Sequence, residues 1–162
     1  MAIYNRLGTL DGMVAFGVMD TSRCVLCEAN DENHNHLFFE CSYSFRIWST
    51  MTAKCNVNWP KLNWNHLVNW LATQLTGSSL AVTICKLVFT YSIYCIWLER
   101  NCRIFQATKS TEVAIISRIK ELVRYRVMSI TNFKADLTNN CFLKEWSLPA
   151  SVIKSGLAGL NV

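Results

Sequence analysis

The stretch CVLCEANDENHNHLFFEC at residues 24–41 contains a CxxC pair followed by HxxxxC, all within eighteen residues. Zinc is held by four sulfur or nitrogen ligands at roughly 2.0–2.3 Å, and a CxxC turn lets two sulfurs reach one ion without backbone strain. We therefore assign Cys24, Cys27, His36 and Cys41 as ligands of one structural Zn²⁺. Three thiolates and one imidazole fill the tetrahedron, so no position is open for a catalytic water.

A second imidazole, His34, competes with His36 for the fourth ligand position. Choosing His34 lengthens the second half of the motif to HxxxxxxC and leaves His36 unexplained. We expect His34 to be a solvated loop residue. The alternative interpretation is that the four residues are unrelated, since the chain contains eight cysteines.

Four blocks of sequence resemble the zinc-binding domain that follows the reverse transcriptase in plant LINE-type (non-LTR) retrotransposons. They are NRLGTLDGMVAFGV at 5–18, CVLC at 24–27, HLFFECSYSFRIW at 36–48 and IWLERNCRIF at 96–105, in the family's order. The resemblance implies the same four zinc ligands. It also implies a module that assists the handling of template RNA or target DNA beside the polymerase.

The chain departs from the family pattern in three respects. Gly8 stands where the family usually has a proline, and Gly12 where a polar or charged residue is usual. The apolar helix that normally precedes this point is missing, so the start of the chain resembles a truncation within the family domain. A gene fragment left by a decayed element is therefore one expectation.

Composition predicts an all-α fold in the form of a small helical bundle. The motif at 24–41 adds an N-terminal CCHC zinc-knuckle-like loop. The 162 residues are 51% hydrophobic and include only two prolines and six glycines, which favours long helices over a many-turned sheet. We divide the chain into a zinc-binding helical domain at 1–130 and a loosely packed tail at 131–162, with Trp146 and Leu148 docking back. Because no signal peptide is evident, the cysteines indicate a reducing compartment, nucleus or cytoplasm.

Apolar spacing predicts four long helices. The first covers 43–53 with Ser42 as N-cap and a stripe through Phe45, Trp48 and Thr52, beside which lie Ile47 and Met51. The second covers 62–75 and stops at Gly77. The third runs from a cap at Ser78 or Ser79 to about Phe105, and the fourth from a cap at Thr108 or Ser110 to Ile130.

The third helix raises a membrane alternative, since residues 80–98 form a mostly apolar run of nineteen residues. A membrane span needs about 20 such residues. Lys86 lies a third of the way in, where a charge costs roughly 2.5–3.5 kcal/mol. We therefore expect a central bundle helix, apolar nearly all round, and regard a membrane span through 80–98 as the less favoured alternative.

Charge is unevenly distributed along the chain. Residues 20–41 carry five acids and one arginine, whereas residues 99–134 carry eight basic residues and three acids. Nucleic-acid affinity depends on basic side chains that displace counterions, so a zinc loop this acidic should repel phosphate. If the domain binds RNA or DNA, we expect the contacts to come from Arg100, Arg103, Arg118, Lys120, Arg124 and Arg126. The alternative is an ordinary solvated helix face on an inert or protein-interaction remnant.

Aromatic and acidic residues add little evidence for function. Six aromatic residues are candidates for base stacking, but their spacing favours core packing, and only Trp64 lies off its helix's apolar stripe; they are Phe38, Phe39, Trp48, Trp64, Trp70 and Trp97. Glu99 and Arg103 are four residues apart and can pair on one helix face. The acids form no close carboxylate set and no phosphate loop occurs, so we expect no enzyme activity and no small-molecule substrate.

Overall fold

The computed structural model describes residues 8–61, 63–130 and 132–154. Within these ranges the regular structure is helical, and β-pairing is limited to two isolated bridges. The described residues form six α-helices, α1 Leu10–Ala15, α2 Ser42–Ala53, α3 Trp64–Gln74, α4 Leu80–Phe105, α5 Glu112–Met128 and α6 Asn139–Glu145, with a π-helical turn at His36–Glu40 and a 3₁₀ turn at Ala150–Val152. The predicted all-α fold class is confirmed.

Helix α4 is the centre of the bundle. It packs against α2, α5, α6 and the π-helical turn. Ser79 caps it as predicted, because its hydroxyl accepts the Val82 N–H at 3.2 Å. By length and composition α4 is also apolar enough to cross a membrane, and half of its most apolar window is buried inside the fold.

The predicted caps of α2 and α5 are wrong. Cys41 precedes α2, whose first residue is Ser42, and no side chain caps it. Thr111 caps α5 by accepting the Ala114 N–H at 3.3 Å. Ser110 stays outside the helix because its N–H donates to the Glu99 carboxylate at 2.8 Å. Tertiary contacts therefore decide where α5 begins.

The buried face of α2 agrees with the predicted stripe in part, because Thr52 is buried together with Ile47 and Met51, which the prediction placed beside the stripe. Tyr43, Ile47 and Met51 are buried, because α2 is packed against both α4 and α5. Phe45 is 49% exposed, although the prediction placed it in the stripe. Trp48 is half-buried and Phe45 lies beside it on an open groove.

Trp64 is buried, contrary to the prediction that it lies off the apolar stripe. Its backbone N–H donates to the Asn35 side chain at 2.9 Å. This bond holds the start of α3 against residues 24–41, which we call the metal loop. The indole then contacts the Phe38, Phe39 and Phe89 rings with centroids 5.3–5.9 Å apart. Leu62, the first residue of the predicted helix, lies outside the described residues.

Helix α3 ends at Gln74, three residues before Gly77, whose φ of 88° lies in the left-handed region that favours glycine. The sequence therefore placed the end of α3 correctly to within a few residues. Residues 68–74 of the predicted helix are half-buried or exposed, whereas Leu67 and Leu75 are buried.

The segment after α5 contains a helix that the sequence did not predict, α6, whose Phe142 is buried. Trp146 and Leu148 dock back as expected; both are buried, and the Trp146 indole N–H donates to the Lys54 carbonyl at 3.3 Å. Phe133 forms a parallel bridge with Ile153. Residues 155–162 lie outside the described part, and the division at residue 130 stays a prediction.

Candidate metal centre

Three thiols and one imidazole meet at one point of the N-terminal third. The ligand atoms of Cys24, Cys27, His36 and Cys41 all lie within 4.8 Å of one another. Sγ of Cys24 is 3.9 Å from Sγ of Cys41, and Sγ of Cys27 is 3.3 Å from Nε2 of His36. Ligands on one tetrahedral zinc are roughly 3.5–3.8 Å apart. The donor set therefore fits a structural Zn²⁺, as the sequence predicted.

A tight turn brings the first two sulfurs together. The Cys24 N–H donates to the Asn30 carbonyl at 2.8 Å and the Glu32 N–H to the Ser22 carbonyl at 2.7 Å, which pairs the two sides of the loop. The Glu28 N–H closes the CxxC turn on the Cys24 carbonyl at 2.8 Å. Glu28 adopts a φ of 57°, the left-handed conformation that such a turn needs.

A π-helical turn supplies the other two ligands. The Cys41 N–H donates to the His36 carbonyl at 2.7 Å, five residues back, so that both ends of the turn meet the CxxC sulfurs. The His36 N–H is held by the Asn33 side chain at 2.9 Å. Such single π-helical turns occur frequently at functional sites.

Cys41 is also the residue that precedes α2, where helix N–H groups favour a thiolate. Without metal, a hydrogen bond from the Cys24 thiol and the N–H groups of Ser44 and Tyr43 together lower the pKa of Cys41 to about 5, although burial acts in the opposite direction. The same hydrogen bond, with burial, raises the pKa of Cys24. A bound zinc requires both sulfurs as thiolates, so it replaces the proton that they share.

His34 is not part of this cluster, and the prediction of a solvated loop residue is wrong. It is 8% exposed and packs edge-on against Phe38 and Trp64, with ring centroids 5.0 and 4.3 Å away. Burial lowers its pKa. Its position in the helical turn before His36 directs the ring into the aromatic cluster.

Residues 1–48 match the family model described as zinc-binding in reverse transcriptase. The match includes all four residues of the metal cluster and ends within α2. No curated protein and no solved structure gives a significant match to the chain. The metal loop is thus similar in sequence to a zinc-binding segment of reverse transcriptases, and its donor geometry independently fits zinc.

A buried ion pair fixes this zinc-binding segment to α4, and the sequence analysis missed it. Arg100 Nη2 is 2.8 Å from Glu32 Oε1, and the two side chains are 1% and 0% exposed. The Glu32 carboxylate also accepts the Leu10 N–H at 2.8 Å, and Arg100 donates to the Gly8 carbonyl at 3.3 Å. The pair therefore joins the metal loop, the start of α1 and α4.

Arg103 holds the CxxC turn itself. The predicted pair with Glu99 is confirmed at 2.8 Å. The Arg103 guanidinium also donates to the carbonyls of Val25 and Leu26 at 3.2 and 3.1 Å, which are the two residues between the cysteines. It lies 4.5 Å above the centroid of the Tyr43 ring. The block IWLERNCRIF at 96–105 thus holds the zinc-binding segment in place from outside the matched range.

These contacts correct two of the predicted nucleic-acid contacts. The Arg100 and Arg103 side chains are 1% and 9% exposed, and their guanidinium groups are already bonded within the protein. They do not face solvent, so they cannot reach phosphate. The available signal was the opposite charge of residues 20–41 and 99–134, which reflects attraction between these two parts of the chain.

The remaining predicted contacts lie on α5, and we call them the basic surface: Arg118, Lys120, Arg124 and Arg126. The three arginines are exposed and Lys120 is half-buried. Ion pairs found in the described part of the chain involve none of the four. The structure therefore leaves their charges available, in contrast to those of Arg100 and Arg103.

Proposed function

We propose that the chain is a non-catalytic, zinc-stabilised module of a plant LINE-type retrotransposon polyprotein, and that it binds RNA or DNA through the basic surface of α5. The zinc-binding segment and the match over residues 1–48 support the origin. The observation that carries the binding role is the contrast among the basic residues of 99–134. Those next to the metal loop are paired, and those on α5 are not.

Within residues 99–134, most charged side chains outside the basic surface are neutralised by ion pairs. Lys109 pairs with Glu28 at 3.0 Å, and Glu112 with Arg46 at 3.1 Å. The groups left without an ion pair are Arg118, Lys120, Arg124, Arg126 and Lys134, with Glu121 as the one acid in the window that is left unpaired among the described residues. Such an excess of unpaired cations is what phosphate binding requires.

A depression beside α5 offers hydroxyl groups as well as charge. It measures about 250 Å³ and is lined by Ser117, Lys120, Arg124 and Ser147, with Glu121 and Trp146 completing the wall. Arginine, lysine and serine side chains are the usual donors to phosphate oxygens. The metal loop is a poorer candidate, because three thiolates outweigh one Zn²⁺ by one negative charge.

The non-catalytic part of the proposal follows from the closed donor set. Four protein ligands complete the zinc tetrahedron, so a bound ion would have no coordination site for water or substrate. The proposed compartment is the nucleus or cytoplasm. The eight cysteines support it, since none of them forms a disulfide and five are buried.

The salt dependence of binding tests the proposal. A filter-binding titration with single-stranded RNA at several salt concentrations should show affinity falling steeply with salt. Replacing Arg118, Arg124 and Arg126 together by Gln should reduce the slope of log K against log salt by roughly 2, since each phosphate contact contributes about 0.7. An unchanged slope would reject the basic surface as the contact.

A control with the same net charge separates this surface from overall attraction. The exposed residues Lys134, Lys144 and Lys154 can be changed to Gln together, which removes three charges outside α5. We expect the slope of this variant to stay close to that of the unmodified chain. Equal losses in the two triple variants would indicate attraction by net charge alone.

A protein-interaction role is the second candidate. The exposed side of α5 also presents three large apolar side chains, Val113, Tyr125 and Met128. Apolar groups beside charged ones are typical of protein contact surfaces. This alternative predicts no saturable binding to RNA at any salt concentration, so the same titration distinguishes it.

A further inference from the structure

A groove runs between the π-helical turn, α2 and the start of α3, and it has two adjoining compartments. The apolar compartment measures about 520 Å³ and the polar one about 300 Å³. Asn35 and Asn63 line both compartments, so they form the boundary between them. Each volume approaches or exceeds the lower limit for small-molecule sites, roughly 300 Å³.

The apolar compartment is an open aromatic cluster. Trp48 lies edge-on to both Phe39 and Trp59, with ring centroids 5.5 and 5.2 Å apart. Phe45 lines the same compartment and is 49% exposed. Aromatic rings left open to solvent beside a cavity can stack on a flat ligand, and nucleic-acid bases are held this way by single-strand binding proteins.

The polar compartment is rich in amides. Four asparagines line it together with Thr9, Asp11 and His34; they are Asn33, Asn35, Asn63 and Asn65. The side-chain oxygens of Asn33, Asn35 and Asn63 already accept backbone N–H groups, so these side chains offer their NH₂ groups as donors to the acceptors on a nucleobase edge. Neither ring nitrogen of the buried His34 has a hydrogen-bond partner among the described residues. Buried polar atoms without partners are rare, so this compartment has unused capacity for hydrogen bonds.

We propose that this groove holds one unpaired nucleobase of a single-stranded nucleic acid. The ring stacks in the aromatic compartment, and its hydrogen-bonding edge faces Asn35, Asn63 and the polar compartment. Lys61 and Glu40 also line the apolar compartment. Lys61 attracts the phosphate, and Glu40 can accept a hydrogen bond from an exocyclic amine.

A paired base does not suit this site, because both its edge and its faces are already engaged within the duplex. The groove therefore selects single strands. The inference rests on the proposed function and adds to it: the basic surface of α5 attracts any nucleic acid, and the groove favours an unpaired one. A protein helix is the weaker occupant, since the amide-rich compartment offers it mainly polar groups.

Phe45→Ala is the appropriate variant, because Phe45 lines the groove but lies outside the buried core. Phe105→Ala is the matched control, since Phe105 is even more exposed and lines no part of the groove. Fluorescence anisotropy with the full zinc-loaded chain compares a labelled 12-nucleotide single-stranded RNA with a blunt duplex of the same sequence.

The unmodified chain should prefer the single strand. Phe45→Ala should weaken single-strand binding roughly tenfold and leave duplex binding unchanged, because only the stacking contribution is lost. Phe45→Trp should restore the preference, and Phe105→Ala should bind like the unmodified chain. Circular dichroism of each variant checks that it is folded.

The position of the base is tested separately by the indole N–H resonances in NMR spectra. Addition of the single strand should shift those of Trp48 and Trp59, which line the groove, and leave that of Trp97 on α4 unchanged. Equal affinity for single strand and duplex, unaltered by Phe45→Ala, would reject the groove as a nucleobase site and leave the proposed function intact. Absence of binding to either form by the unmodified chain would overturn both.

Discussion

Arg100 and Glu32 form a fully buried ion pair across 68 residues of sequence, with Nη2 and Oε1 2.8 Å apart. The Arg100 Nε–H donates to the same carboxylate at 3.1 and 3.3 Å, so the guanidinium binds the carboxylate through two nitrogens, in a bidentate contact. This pair connects the metal loop to the central helix. Its geometry means that zinc loop and helical body should unfold together.

Breaking this pair from one side should be costly. Glu32→Gln leaves the Arg100 charge buried without compensation, and we expect the free energy of unfolding to fall by about 3–5 kcal/mol. Urea denaturation of the zinc-loaded chain measures it. Replacing both residues, Glu32→Leu with Arg100→Met, should recover much of the loss. Lys109→Ala, which breaks the exposed pair with Glu28, serves as control and should leave the midpoint unchanged.

The metal site should depend on the four clustered residues and not on His34. Mass spectrometry of purified protein should find one zinc per chain, and Cys24→Ser, Cys27→Ser or Cys41→Ser should each release it and unfold the N-terminal third. His34→Phe should retain the ion, because the His34 ring lies against Phe38 and Trp64 and outside the cluster. Loss of zinc in His34→Phe would mean that the ligand set is wrong.

Arg103 should influence zinc affinity without touching the metal. Its guanidinium bonds to the carbonyls of Val25 and Leu26, so Arg103→Lys keeps the charge but loses the fork that holds the turn. We expect the affinity for zinc to fall by roughly 10–100-fold. Competition with a chromophoric chelator measures this, with Arg118→Gln as an exposed control on α5. Equal affinities in the two variants would show that the turn forms without the clamp.

Tyr43 should lose its proton only at high pH. Burial and the nearby Glu99 charge raise the pKa of Tyr43 to about 12, and its hydroxyl donates to the Ser110 carbonyl at 2.9 Å. A raised folded-state pKa stabilises the fold below the unfolded value near 10, and this stabilisation is lost as pH rises toward 12. Ultraviolet absorbance should show tyrosine ionisation near pH 12. Tyr43→Phe should abolish that phase, and its persistence would assign it to another tyrosine.

Local patterns predicted the features that depend on neighbouring residues in the sequence. The CxxC and HxxxxC spacing identified the four clustered side chains, and the cap at Ser79 identified the start of α4. Scarce glycine and proline indicated the all-α class. Each of these properties is decided within a few residues of chain, which is why sequence alone was sufficient.

Tertiary contacts decided the rest. His34 and Trp64 are buried by each other, and they come from segments thirty residues apart. The predicted nucleic-acid contacts included Arg100 and Arg103, yet these two side chains point inward and bind Glu32 and two carbonyls of the metal loop. The cap of α5 is Thr111 and not the predicted Ser110, because Ser110 is bonded to Glu99 and Tyr43. No period or spacing encodes such contacts.

Ser110 is bonded on every side by groups that also hold the zinc turn or α2. Its N–H reaches Glu99, and its carbonyl accepts from both Tyr43 and Arg103. Helix α5 begins two residues later, and Arg103 contacts both Ser110 and the CxxC turn. We therefore expect loss of the metal to disturb Ser110 through Arg103, and with it the start of the helix that carries the basic surface.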